Sequence, residues 1–95
     1  MVNYTINGSY KVGGRILTFD KKIAVNKGVV TGDDLEGRMD SMCLTFRTDD
    51  MTYRFAKRFD VQDSAIYSGR VFVEGIFLGD AVATLSPNSK KTRPS

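Results

Sequence analysis

Histidine is absent from the 95-residue chain. Its absence removes Ser-His and Cys-His nucleophile pairs, imidazole general bases and imidazole metal ligation at once. Cysteine occurs once, at Cys43, which excludes an intrachain disulfide and a cysteine-cluster zinc site. A lone thiol fits a reducing compartment, so a cytoplasmic protein is expected. No stretch approaches the ~20 apolar residues of a membrane span, and the N-terminus lacks the apolar run of a signal peptide. No membrane association is expected.

Other signatures of chemistry are missing too. "GSYKVGG" lacks the lysine-hydroxyl ending of a phosphate-cradling loop, and no helical segment follows it. Ser64 and Ser68 have no histidine to act as base, and the D-x-D-x-D-G spacing of a calcium loop does not occur. Cys43 has Arg54 as a near neighbour in the strand register derived below, a setting that can activate a thiol. A small, hydrophobe-like structural cysteine is the stronger expectation. No enzyme, cofactor or metal is expected.

The charge is unevenly placed. Through Ser86 the basic and acidic residues balance at eleven each, and the net +3 comes from Lys90, Lys91 and Arg93 in "PNSKKTRPS". A domain that grips a phosphate backbone usually carries its excess on the folded face. The chain divides into a single β domain over residues 1–86 and a basic, flexible tail over 87–95.

What the sequence does contain is strand alternation broken by turn chemistry. In "YTINGSYKV-GG-RILTFD", Gly13-Gly14 supplies the positive φ angles of a two-residue primed turn. Pairing across it sets Tyr10 opposite Leu17 and Gly8 opposite Phe19, with Tyr4 and Ile6 on the same face. "KIAVNKGVVTG" is a second hairpin with a tight turn at Asn26-Lys27-Gly28. "CLTFRTDDMTYRFAKRF" is a third, with Asp49-Asp50 at its tip. There Phe46 faces Tyr53, Leu44 faces Phe55 and Met42 faces Lys57. The opposite side pairs Thr45 with Arg54, Arg47 with Thr52, Cys43 with Ala56 and Ser41 with Arg58.

A fourth hairpin, "GRVFVEGIFLGDAVATLS", is expected to turn at Gly79-Asp80. A one-residue bulge at Gly75 brings Val71, Val73, Ile76 and Leu78 inward against Ala81, Ala83 and Leu85. That leaves Phe72, Phe77 and Val82 outside. No long segment has helical periodicity, but "DVQDSAIYSG" has room for one helical turn capped by Asp63 or Ser64.

Eight short antiparallel strands in up-and-down order make an all-β meander that closes into a barrel or a flattened sandwich. Small lipocalin-type barrels are similar in architecture alone. In this expectation the longer loops at Asp20 to Lys22, Gly32 to Gly37 and Phe59 to Gly69 share one end. They would gather Asp20, Asp33, Asp34, Glu36, Asp60 and Asp63 there.

Three functional classes follow. The leading one is a non-catalytic binding module of the inhibitor, adaptor or regulator type, whose partner is another protein or a second copy of itself. Its contact candidates are Phe72, Phe77 and Val82, because such a patch rarely stays bare on a soluble monomer. The second is nucleic-acid binding through Arg47, Arg54, Arg58 and the tail residues Lys90, Lys91 and Arg93. Single-strand binding needs exposed rings beside the cations, whereas Phe46, Tyr53 and Phe55 point away from Arg47, Arg54 and Arg58. The third is a carrier of a small apolar ligand, with Tyr4, Tyr10, Phe19, Phe46, Tyr53 and Phe55 lining the interior.

Overall fold

The computed structural model describes residues 2–88. Its eight strands are β1 (Val2–Val12), β2 (Arg15–Asn26), β3 (Val29–Thr31), β4 (Glu36–Met39), β5 (Cys43–Arg47), β6 (Met51–Val61), β7 (Ser64–Val73) and β8 (Ile76–Pro87). Each pairs antiparallel with the next, and β8 returns to β1, so the sheet is a closed up-and-down barrel. β8 includes Pro87, and the Asn88 N–H still donates to the Asn3 carbonyl. Lys90, Lys91 and Arg93 lie outside the described residues.

Alternate side chains of the strands fill the interior, with the parity of β8 shifting at its bulge, so that Leu78 joins Ala81, Ala83 and Leu85. Ile6, Val30, Leu44, Phe46, Tyr67 and Val71 are the most completely enclosed. Phe46 and Tyr53 stack with ring centroids 4.6 Å apart, and Phe19 reaches across from β2 to within 5.2 Å of Tyr53. Leu35, in the β3–β4 loop, is buried against the same cluster.

The first and third hairpins have the registers that alternation predicts. Tyr10 pairs with Leu17 and Gly8 with Phe19, while Leu44 pairs with Phe55 and Phe46 with Tyr53. The second hairpin turns on Lys27-Gly28, both at positive φ, with Asn26 paired to Val29. Ser41 does not pair with Arg58. The Asp40 carboxylate accepts 2.8 Å hydrogen bonds from the Met42 and Cys43 N–H groups, turning the chain before β5. These two donors hold the Asp40 carboxyl below its ordinary pKa. Arg58 occupies a bulge between Lys57 and Phe59.

Elsewhere the partition differs from expectation. Residues 20–22 are not a loop: β2 runs unbroken through them. Lys21 faces inward there because its ammonium reaches Asp34 at 3.3 Å. Part of the expected 32–37 loop is strand β4. The segment 60–69 holds no helical turn; β6 and β7 meet at Gln62-Asp63. The last hairpin turns at Glu74-Gly75, both at positive φ, and not at Gly79-Asp80. Its bulge falls at Leu78, not Gly75, and Ile76 is 72% exposed instead of buried.

Candidate binding face

Consecutive turns of a meander alternate between its two ends, and this separates the carboxylates. Asp33 and Asp34 lie at the end that carries Gly13-Gly14, while Asp63 lies at the other and Asp20 sits mid-strand opposite Asn7. The expected acidic cluster is therefore not assembled. Among the described residues no group of three or more His, Cys, Asp or Glu is placed to hold a metal ion.

The interior ring set is packed upon itself. Tyr53 is 4% exposed, and its hydroxyl has the Met51 sulfur, at 3.8 Å, as acceptor. Burial, with help from Tyr10, Asp34 and Asp50, pushes its pKa up to about 12. Burial also raises the Tyr67 hydroxyl. Tyr4 and Tyr10 are half-buried at the edge of the cluster.

The outward-facing residues of β4 to β8 form rows, because paired residues on adjacent strands share a face. One row is Arg38, Thr45, Arg54, Arg70 and Asp80. The next, two residues along β4 to β7 and three along the bulged β8, is Glu36, Arg47, Thr52, Phe72 and Phe77. Arg54 and Arg70 stand directly opposite each other, an arrangement of like charges that disfavours the sheet. Arg47 is held by Glu36 at 3.0 Å. Among the described residues, Arg38, Arg54 and Arg70 have no carboxylate within ion-pair distance.

Phe72 and Phe77 meet edge to face at 6.0 Å, and the Arg70 guanidinium lies 5.9 Å from the centre of the Phe77 ring. Phe77 remains 53% exposed. Beside the arginine row a cleft of about 550 Å³ opens between Val29, Arg38, Thr45, Arg47 and Thr52, floored by Gly37. A Cβ at Gly37 would run into the Thr45 carbonyl oxygen, so only glycine lets β4 and β5 approach this closely.

The sequence-predicted contact residues are thus divided. Phe72 and Phe77 touch, whereas Val82 lies beyond the Arg70–Asp80 row, between Ser68 and Ser9. Arg47 and Arg54 join the face, and Arg58 lies farther along β6 at its bulge. Arg47 and Arg54 do point away from the buried Phe46, Tyr53 and Phe55, as alternation requires. A different pair of rings, Phe72 and Phe77, shares their surface. Arg38 and Arg70 were not legible as site residues. The alignment of Arg70 with Arg54 comes from the Gln62-Asp63 turn together with the bulge at Arg58, and the expected helical turn over 60–69 concealed both. Cys43 is exposed on this outer side, not packed as a structural thiol.

Compared with known protein families, curated proteins and solved structures, the chain matches none. Among the described residues no helix is long and apolar enough to cross a membrane.

Proposed function

We propose that the protein is a non-catalytic, cytoplasmic binding module that acts through the outward face of β4–β8. The observation that carries this is the unneutralised Arg54–Arg70 pair lying beside the half-exposed Phe77. Like charges set side by side cost stability, and a half-exposed aromatic ring costs hydration. Both costs are offset when an anionic, partly apolar partner covers the face.

Amide NMR titrations with one probe per partner class test the assignment: a thymidine oligonucleotide, a polyglutamate peptide and a fatty acid. Shifts centred on Arg38, Thr45, Arg54, Arg70 and Phe77 are expected with an anionic probe. Shifts at Phe19, Phe55 and Tyr67 with the fatty acid would favour an interior carrier instead. No shift with any probe would remove the binding face.

Self-association is the second reading, favoured by the exposure of Ile76 and Phe77 at the β7–β8 tip. Light scattering on a size-exclusion column checks it. A monomeric wild-type protein, unchanged by Phe77→Asp, rules the dimer out.

A further inference from the structure

We infer that the partner of the β4–β8 face is single-stranded nucleic acid; the inference rests on that face being the binding surface. Two adjacent rows carry it. Arg38, Arg54 and Arg70 lie on β4, β6 and β7, so at ~4.8 Å per strand they follow an arc of about 14 Å around the curved outer wall of the closed barrel. The Thr52–Phe72–Phe77 row lies beside it, two residues or about 7 Å along β6 and β7, with the β8 bulge adding a residue before Phe77. A nucleotide chain laid across the strands sets its phosphates on the guanidinium row and its bases over the ring row. Phe77 is half-exposed and offers the part of its ring that Arg70 leaves uncovered, while Arg70, beside that ring, is placed to meet a phosphate.

Polarity of the rows fits the same occupant. Thr45 lies in the guanidinium row between Arg38 and Arg54, and Thr52 in the ring row between Arg47 and Phe72, where their hydroxyls can hydrogen-bond phosphate, sugar or base edges. Asp80 ends the guanidinium row at β8, so the phosphate path stops there. The cleft beside Arg38 and Arg47 extends it at the other side. A duplex keeps its bases stacked inside and leaves Phe77 without a stacking partner. A plain polyanion such as an acidic peptide uses the arginines and ignores the rings.

Fluorescence anisotropy of the full chain with a labelled thymidine oligonucleotide of about ten nucleotides, a length within the range one small β-barrel covers, is the test. Saturable binding is expected at ~50 mM salt, with a log–log salt slope near −2 for three phosphate contacts. Arg54→Gln or Arg70→Gln flattens that slope by about 0.7. Phe77→Ala weakens binding about tenfold and leaves the slope unchanged. Retained thermal unfolding of each variant shows that the fold is intact. Absence of binding at low salt overturns the inference, as does equal affinity for a duplex together with indifference to Phe77→Ala. A slope insensitive to both arginine variants also overturns it, by moving the contact off this face. If polyglutamate shifts the face amides and the oligonucleotide does not, the nucleic-acid assignment fails and the binding face stands. If no probe acts, both fail.

Discussion

Arg54 on β6 and Arg70 on β7 are direct cross-strand partners on the outer face of the barrel, two like charges on adjacent strands, with the Arg70 guanidinium 5.9 Å from the centre of the Phe77 ring. In a sheet such a pair opposes folding by a fraction of a kcal/mol, and salt relieves it. Replacing one with a β-branched neutral residue, Arg54→Thr, therefore raises stability by about 0.5 kcal/mol at low salt. Urea unfolding at low and high salt measures it. The gain shrinks as salt rises, and Arg70→Thr added to Arg54→Thr gives less than twice the effect, because the first change has already removed the conflict. A destabilised single variant would mean that the two charges are not in opposition.

Tyr53 makes the barrel alkali-sensitive. Its pKa is 10.0 in the unfolded chain and about 12 in the fold, so the unfolded state loses its proton first. The contribution is fully present below pH 10 and is lost as pH rises toward 12. Tyr53→Phe removes the ionisable group and moves the alkaline unfolding midpoint upward, as followed by circular dichroism. At neutral pH it costs little, about 1 kcal/mol or less, since the hydroxyl's acceptor is a thioether sulfur. An unchanged alkaline midpoint would count against Tyr53 as the responsive group.

How much of this was legible depended on side chains that declare a face. Gly13-Gly14 and the run from Leu44 to Phe55 name their own registers, because a glycine turn and alternating large apolar residues leave no second solution. Residues 20–22 carry three charges in succession, which reads as a loop. They remain strand because Lys21, aimed inward, finds Asp34 near the barrel mouth. β4 was invisible for the opposite reason. Its central inward position is Gly37, which has no side chain to mark the face.

Those two misreadings offset each other. Splitting β2 adds a strand and sends the Lys27-Gly28 turn and the Asp33-Asp34 loop to the wrong ends; omitting β4 removes one and restores the ends from Asp49-Asp50 onward. The strand count and the barrel survive, while the acidic cluster does not. Phe72 and Phe77 were legible as outward residues, but their arginine neighbour was not. The turn that aligns Arg70 with Arg54 is Gln62-Asp63, within the segment read as a long loop with a helical turn.

Gly79, read as a turn, is instead one of several mid-strand glycines that let neighbouring strands close up. Gly69 is the sharpest test, since it sits between Phe55 and Ala81 at the centre of the β6–β7–β8 sheet. A Cβ there would run into the Arg54 carbonyl oxygen and the Phe55 Cα. Gly69→Ala must push β6 and β7 apart and costs about 1–3 kcal/mol in urea unfolding. Ser68→Ala, one residue away on the outer face, stays within about 0.5 kcal/mol. Equal effects at the two positions would show that the strands have room to spare.

The Glu74-Gly75 turn is open to improvement by the chemistry that hid it. Glu74 has φ 52° and Gly75 φ 81°, the signature of a two-residue primed turn, and a glutamate pays a steric penalty in that left-handed conformation. Asparagine tolerates it, so Glu74→Asn stabilises the protein by about 0.5 kcal/mol. Its backbone N–H still donates to the Asp50 carbonyl at 3.3 Å, so no hydrogen bond is lost. Lys27 occupies the same position of the Lys27-Gly28 turn, at φ 54°, at the opposite end of the barrel. Lys27→Asn should give a similar gain, and the double variant should show the sum, because the two sites share no neighbours. Thermal unfolding of the three variants measures the increments. A loss at Glu74→Asn, with a gain at Lys27→Asn, would mean that the β7–β8 hairpin turns elsewhere, and with it the pairing of Phe72 with Phe77 would go.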